Sequence, residues 1–340
     1  MPVIPNVITR RPVIDQLSWM WQSYTGNAQP QAGDDFFDSG ASSLDALRLV
    51  ADVNAALSLK LTEAAVFESP TFARFVTQVV DNAGTSSLTT RLWPNAGNRS
   101  VVYMPSAWGF DYAARDFLLR LERESYLIRM PGLEPGESTL DSVSRTRQFV
   151  IDQLSTYSLV DPVFVGYSAG AKICHEVAVE YARGHQGVMA VLLDPGLPEE
   201  PRWRRTGTAL DQRDLVAGID YLLKAFDPDA HVDHARLYQS VAHGNAERAL
   251  ADALNHYGLF EPDVFDLLVR RLGVFMASAR ATRSHSSSLS GVDTILVSGN
   301  KVVVDAWGAR CADLRVCWTD AAHHAVLGDV GLTEQLRTLL

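Results

Sequence analysis

The hydrophobic pattern of this 340-residue chain changes period once, between Asp81 and Arg99. That change restricts the fold to a small helical unit followed by a larger α/β unit. Upstream, Val13–Thr25, Leu44–Leu57 and Thr71–Val80 carry apolar residues at helical spacing, with no strand pattern between them. Downstream, short apolar runs at Val101–Met104, Tyr126–Met130, Val163–Val165, Val188–Leu193, Thr294–Val297 and Leu314–Trp318 alternate with helical stretches. Such alternation predicts right-handed crossovers and a mostly parallel sheet. From Pro201 to His285 only helical patterns occur, which predicts a helical insertion. The stretch Asn82–Thr90 is polar, small and aperiodic, the composition of a flexible connector.

Composition narrows the class. Hydrophobic residues at 47% and charged residues at 21% exclude disorder as the main state. A net charge of −10 opposes binding to polyanions, so no nucleic acid partner is expected. Cys174, Cys311 and Cys317 form no CxxC pair and no Cys/His cluster, so no metal site is expected and a reducing cytoplasm suits the chain. The N-terminus lacks the basic-then-apolar order of a signal peptide, and no run of eighteen apolar residues follows. No membrane association is expected.

Asp34-Asp-Phe-Phe-Asp-Ser-Gly-Ala-Ser-Ser-Leu-Asp45 places Ser43 after a Gly turn and at the start of an amphipathic helix. A serine there either caps the helix or presents its hydroxyl at the positive end of the helix dipole, a setting that favours phosphate. Phe36-Phe37, Gly40-x-x-Ser43-Leu44 and Phe67-Glu-Ser-Pro70-Thr71 together resemble the carrier-protein family of peptide and polyketide synthases. The resemblance covers residues 10–82 and implies an all-α, four-helix-type domain. It also implies that Ser43 is esterified by 4′-phosphopantetheine. Ala41-Ser42 stands where Gly-Asp or Gly-His is common in the family, which makes Ser42 the competing hydroxyl.

Gly166-Tyr-Ser-Ala-Gly170 follows the apolar run Val163–Val165 and opens a helical one, Ala171–Tyr181. The small residues permit a sharp strand-to-helix turn with Ser168 exposed at its tip, the nucleophile elbow of α/β-hydrolases. A hydroxyl is a weak nucleophile and needs a His as base, oriented by an acid. In that fold the chain order is Ser, acid, His. Asp194 ends the next apolar run and is the candidate acid. Of nine histidines, His323 and His324 follow the last strand-like run, where the order requires the base. The oxyanion hole is expected from backbone N–H groups, one of them that of Ala169, the residue after the nucleophile, and one in the loop Pro105–Gly109, where Trp108 sits over the site or packs.

From residue 99 to 340 these features resemble the thioesterase domains of nonribosomal peptide and polyketide synthases. Their H-x-x-[ML]-[ML] ending resembles His323-His-Ala-Val-Leu327, which favours His323, and the resemblance assigns Ala107 the second oxyanion N–H. The domain plan implied is a carrier over 10–82, a linker over 83–98, and an α/β-hydrolase domain over 99–340 with a lid at about 201–285. The implied activity is release of a pantetheine-bound acyl or peptidyl chain through an acyl-serine, by hydrolysis, cyclisation or transfer. Alternatives are an editing hydrolase or acyl shuttle acting in trans, or a non-catalytic interaction module. The implied partners are upstream synthase modules, a phosphopantetheinyl transferase and an acyl or peptidyl thioester.

Overall fold

The computed structural model describes residues 7–57, 59, 61–62, 64–80, 88–92, 99–201, 208–226, 231–243 and 245–340, the backbone alone at 7–12, 208–210, 225–226, 243 and 263. The chain divides into two compact units. One spans Met1–Ser86 with Leu223–Ala230 and Leu254–Leu268, and the other Ser87–Leu222, His231–Ala253 and Val269–Leu340. Among the described residues no helix is long and apolar enough to cross a membrane.

The first unit contains α1 (Val7–Thr25), α2 (Ser43–Leu57), α3 (Ala65–Glu68) and α4 (Phe72–Val80). The short α3 lies between two predicted helices, and four residues are too few to display a helical period. The core is aromatic. Trp21 is fully buried, with Phe36, Phe72 and Phe75 packed around it at ring-centroid distances of 5.0, 5.4 and 5.5 Å. The loop from α1 to α2 is tied to the start of α4: Phe36 N–H donates to Pro70 O (2.8 Å) and Phe72 N–H to Asp34 O (2.9 Å). Phe36 therefore serves the core, and the Gly turn that follows it delivers the chain to α2. On that helix Arg48 forms a forked ion pair with Glu261 of the same unit, its Nε donating at 2.9 Å.

The second unit is built on a seven-stranded sheet of order β1-β3-β2-β4-β5-β6-β7. Its strands are β1 (Thr89–Leu92), β2 (Ser100–Met104), β3 (Glu124–Ile128), β4 (Val163–Tyr167), β5 (Met189–Leu193), β6 (Asp293–Val297) and β7 (Leu314–Cys317). All neighbours are parallel except β1, which pairs antiparallel with β3 from Thr89↔Ile128 to Leu92↔Ser125. The expectation of a linker over 83–98 is corrected at this point, because four of its residues form an edge strand. Thr-Thr-Arg-Leu is too short and too polar to show a strand period, and only pairing to β3 organises it. The strands β2 to β5 are buried along their whole length, which explains their uninterrupted apolar runs.

The connecting helices are α5 (Ala114–Leu121), α6 (Val143–Leu154) and α7 (Ala169–Tyr181). Four helices, α8 (Thr208–Phe226), α9 (His234–His243), α10 (Ala246–His256) and α11 (Pro262–Ser284), occupy the interval between β5 and β6 where helical patterns were predicted. After β6 come α12 (Lys301–Gly308), β7, a 3₁₀ helix at His323–Gly328 and α13 (Val330–Leu339). Successive parallel strands thus deliver Ser168, Asp194 and the segment leading to His323 to the same sheet edge.

Candidate active site

Ser168 joins β4 to α7 with φ 57° and ψ −119°, a backbone conformation that costs an ordinary residue about 1–3 kcal/mol. The two glycines make it possible. A Cβ on Gly166 would lie 2.4 Å from Gly170 O and 2.5 Å from Cys174 Cβ, and one on Gly170 would lie 2.2 Å from Pro105 O. Helix α7 therefore starts closer to β4 and β2 than any residue with a side chain allows. The Ser168 N–H donates to Leu193 O at 2.9 Å, which ties the turn to β5.

Asp194 leaves β5 with φ 40°, and its N–H donates to Val297 O of β6 at 2.8 Å. His323 opens the 3₁₀ helix beyond β7. Its Nε2 lies 3.0 Å from Ser168 Oγ and its Nδ1 2.6 Å from Asp194 Oδ2. The structure thus brings together three side chains separated by up to 155 residues, and His323 rather than His324 supplies the ring. An aspartate on Nδ1 fixes the tautomer that leaves Nε2 able to accept a proton from the serine. Tyr167 steadies this ring from below: its hydroxyl donates to the His323 carbonyl at 2.7 Å, and the two rings stack at 5.0 Å. Sequence reasoning passed over Tyr167, because the variable position of G-x-S-x-G carries no signal of its own.

Ala107, Ala169 and Ser168 line one cavity of about 410 Å³. The loop holding Ala107 is organised by Asp111, which accepts hydrogen bonds from Ser106 N–H (2.7 Å), Ser106 Oγ–H (2.6 Å) and the Tyr103 hydroxyl (2.8 Å). Burial pushes the Asp111 carboxyl up, against the pull of Ser106, Tyr103 and the Arg271 charge. Trp108 packs between Tyr221 and Phe275, stacked on them at 4.6 and 4.5 Å. Asp111 escaped the sequence reading because its role depends on a strand tyrosine and a loop serine meeting in space. Behind α7, Glu176 accepts from Ser288 N–H and Oγ–H (2.7 and 2.8 Å) and faces His285 Nε2 at 3.1 Å. Burial raises the pKa of Glu176, but the bonds from His285 and Ser288 outweigh it and hold the carboxyl at about 2. His175 and His285 therefore belong to packing.

In the first unit, Ser43 is the first residue of α2 and is exposed. Ser42 does the capping. Its Oγ accepts from Asp45 N–H (3.2 Å) and donates to Asp45 Oδ2 (2.6 Å), while Asp45 accepts the Ser42 N–H at 2.8 Å. Of the two hydroxyls, that of Ser42 is committed to the helix end, and that of Ser43 is displayed on it.

Residues 15–79 match the family described as the phosphopantetheine attachment site. This helical region is a carrier domain, whose prosthetic group is covalently attached 4′-phosphopantetheine. An exposed hydroxyl at a helix N-terminus fits a phosphodiester at Ser43. The chain is 28% identical over 201 residues to an indigoidine synthase of Streptomyces lavendulae, a match covering 57% of this chain and 16% of that protein. This chain thus spans under a fifth of that relative's length. Among solved structures, a four-domain nonribosomal peptide synthetase bound to AMP and glycine superposes with a TM-score of 0.60 at 16% identity, over 100% of this chain and 26% of that one. The Vlm2 thioesterase domain superposes with a TM-score of 0.51 at 18% identity, over 75% of this chain and 98% of that domain. At these identities the likeness shows fold. The region after the carrier has the α/β-hydrolase fold of thioesterase domains, with a mixed sheet.

Proposed function

We propose that this protein is a carrier–thioesterase didomain that takes an acyl or peptidyl thioester, transfers the acyl group to Ser168 and then releases it. The supporting observation is the linked pair of contacts from Ser168 Oγ to His323 Nε2 (3.0 Å) and from His323 Nδ1 to Asp194 (2.6 Å). On this reading the carrier occupies 10–82 and the catalytic domain 99–340 together with β1, with α8–α11 forming a lid at about 201–285.

Ser43 is the residue that holds 4′-phosphopantetheine, which supplies a thiol on which an acyl chain is carried as a thioester. His323 Nε2 removes the Ser168 proton as Oγ attacks the thioester carbonyl. Asp194 stabilises the imidazolium that forms. The carbonyl oxygen becomes an oxyanion, held by the N–H groups of Ala107 and Ala169. His323 then gives its proton to the departing sulfur as the C–S bond breaks, leaving an ester on Ser168. In the second half-reaction, His323 deprotonates water, or a hydroxyl or amine acceptor, which attacks the ester carbonyl. The C–Oγ bond breaks and Ser168 recovers its proton, so the product leaves as acid, lactone, lactam or ester. Upstream synthase modules supply the chain, and a phosphopantetheinyl transferase modifies Ser43.

The test is intact mass spectrometry of the pantetheinylated protein loaded with candidate acyl groups. Wild type discharges the acyl mass, and Ser168→Ala retains it at Ser43, with discharge slowed about a millionfold by loss of the nucleophile. Equal discharge in both proteins would falsify the assigned nucleophile.

A further inference from the structure

The imidazole that links Ser168 to Asp194 stands on weak footing. His323 opens a six-residue 3₁₀ helix beyond β7, and its side chain is 53% exposed against 25% for Asp194. The hydrogen bonds of a 3₁₀ turn are poorer than those of an α-helix and do little to hold so short a segment in place. This one is fastened from outside at both ends. At the far end the Arg120 guanidinium of α5 donates to Leu327 O at 2.8 Å. At the near end the Tyr167 hydroxyl donates to His323 O at 2.7 Å.

Tyr167 is the last residue of β4 and is joined to Ser168 by one peptide bond. The neighbour of the nucleophile thus grips the backbone of the base, and the contact from Ser168 Oγ to His323 Nε2 (3.0 Å) closes the ring of connections. The phenol is buried and fixed, at 8% exposure, and burial holds its hydroxyl well above the usual phenol range, so it remains a donor. Its ring lies against the imidazole with centroids 5.0 Å apart and planes inclined by 26°. Asp194 meets the imidazole at its edge, through Nδ1, and so sets rotation and tautomer. Tyr167 meets it on a face. When Nε2 takes the serine proton the imidazole becomes a cation, and a cation within about 6 Å of an aromatic centroid is attracted by the ring's quadrupole. That attraction strengthens as the proton moves, which is the condition for lowering a barrier.

Resting on the assignment of Ser168 as nucleophile and His323 as base, we propose that Tyr167 is a positioning residue with two separable roles. Its hydroxyl holds the His323 backbone at hydrogen-bonding reach of Ser168, and its ring face stabilises the imidazolium formed in each half-reaction.

The experiment compares Tyr167→Phe, which removes the hydroxyl and keeps the face, with Tyr167→Leu, which removes both. The full chain is used. Acylation is read from the second-order rate at which a fluorophosphonate labels Ser168, a rate that needs no knowledge of the acyl chain, and turnover from hydrolysis of the N-acetylcysteamine thioester of hexanoic acid. Tyr167→Phe slows labelling and kcat about three- to tenfold, the range for one neutral hydrogen bond. Tyr167→Leu slows them a further three- to thirtyfold or so, the range for a cation on an aromatic face. KM stays within about twofold of wild type in both, because the base serves both half-reactions alike. A tyrosine that only filled space would leave Tyr167→Phe at the wild-type rate, which overturns the role of the hydroxyl. Equal labelling rates for the Phe and Leu variants overturn the role of the face, and a loss confined to KM overturns both. Tyr167→Met repeats the second comparison, so neither conclusion depends on the Leu variant folding. No labelling of Ser168 in wild type overturns the nucleophile assignment itself, whereas wild-type labelling that all three variants match overturns the positioning roles alone.

Discussion

Two serines each open a helix in this chain, and the difference between them shows what a helix N-terminus is used for. Ser43 stands at the start of α2 on open ground: Gly40, at φ +92°, has nothing within 4 Å of where its Cβ would be, and Ser42 has taken over the cap. Ser168 starts α7 in a strained backbone wedged between two glycines that tolerate no side chain. On the proposed reading another enzyme must reach Ser43, which needs space around it and a helix end already satisfied without it. A residue that must meet an imidazole at 3.0 Å needs rigidity, and the fold accepts strain to provide it.

The sharpest way to break this contrast is Asp194→Asn. The substitution keeps the shape of the site but reverses the hydrogen-bond preference at His323 Nδ1, presenting the wrong tautomer to Ser168. We expect kcat for release to fall about ten-thousandfold, with carrier modification unchanged. Pre-steady-state acylation, followed by the ester mass at Ser168, measures it. A loss below tenfold would mean that His323 is oriented by Tyr167 instead, through its hydrogen bond to the ring's own backbone carbonyl.

A smaller effect separates the two glycine environments. Gly170→Ala places a methyl group 2.2 Å from Pro105 O and 2.5 Å from Met104 O, which forces apart α7 and the loop that carries Ala107. We expect the unfolding free energy to drop by about 2–3 kcal/mol and acylation by about a hundredfold from the displaced loop. Gly40→Ala meets no atom and costs about 1 kcal/mol, from left-handed backbone strain alone. Chemical denaturation of the full chain ranks the two. If Gly40→Ala proves the costlier, open space around the first serine is not what its turn provides.

The sequence made one half of this picture legible and hid the other. Ser168, Asp194 and His323 are recognisable because each lies just beyond a strand-like run, and parallel strands bring their carboxyl ends to one edge. Their supports are not visible in the same way. Tyr103, Ser106 and Asp111 form their network only when β2 and its following loop fold back on themselves, and Tyr167 reaches a carbonyl 156 residues away. The strand at Thr89–Leu92 was read as connector because four polar-leaning residues acquire their meaning from a partner strand.

The smallest effect bears on the first serine. Ser42→Ala removes the reciprocal bonds to Asp45 and should lower carrier stability by about 1 kcal/mol, while pantetheinylation continues. Ser43→Ala removes an exposed hydroxyl from the first helical position, where alanine is a good helix former, so stability should stay within about 0.5 kcal/mol. The same substitution abolishes the mass shift added by a phosphopantetheinyl transferase. Stability and modification therefore respond to neighbouring residues in opposite ways. Were Ser42→Ala the variant that blocks modification, the cap and the attachment point would be one hydroxyl, and the division of labour between α2 and α7 would disappear.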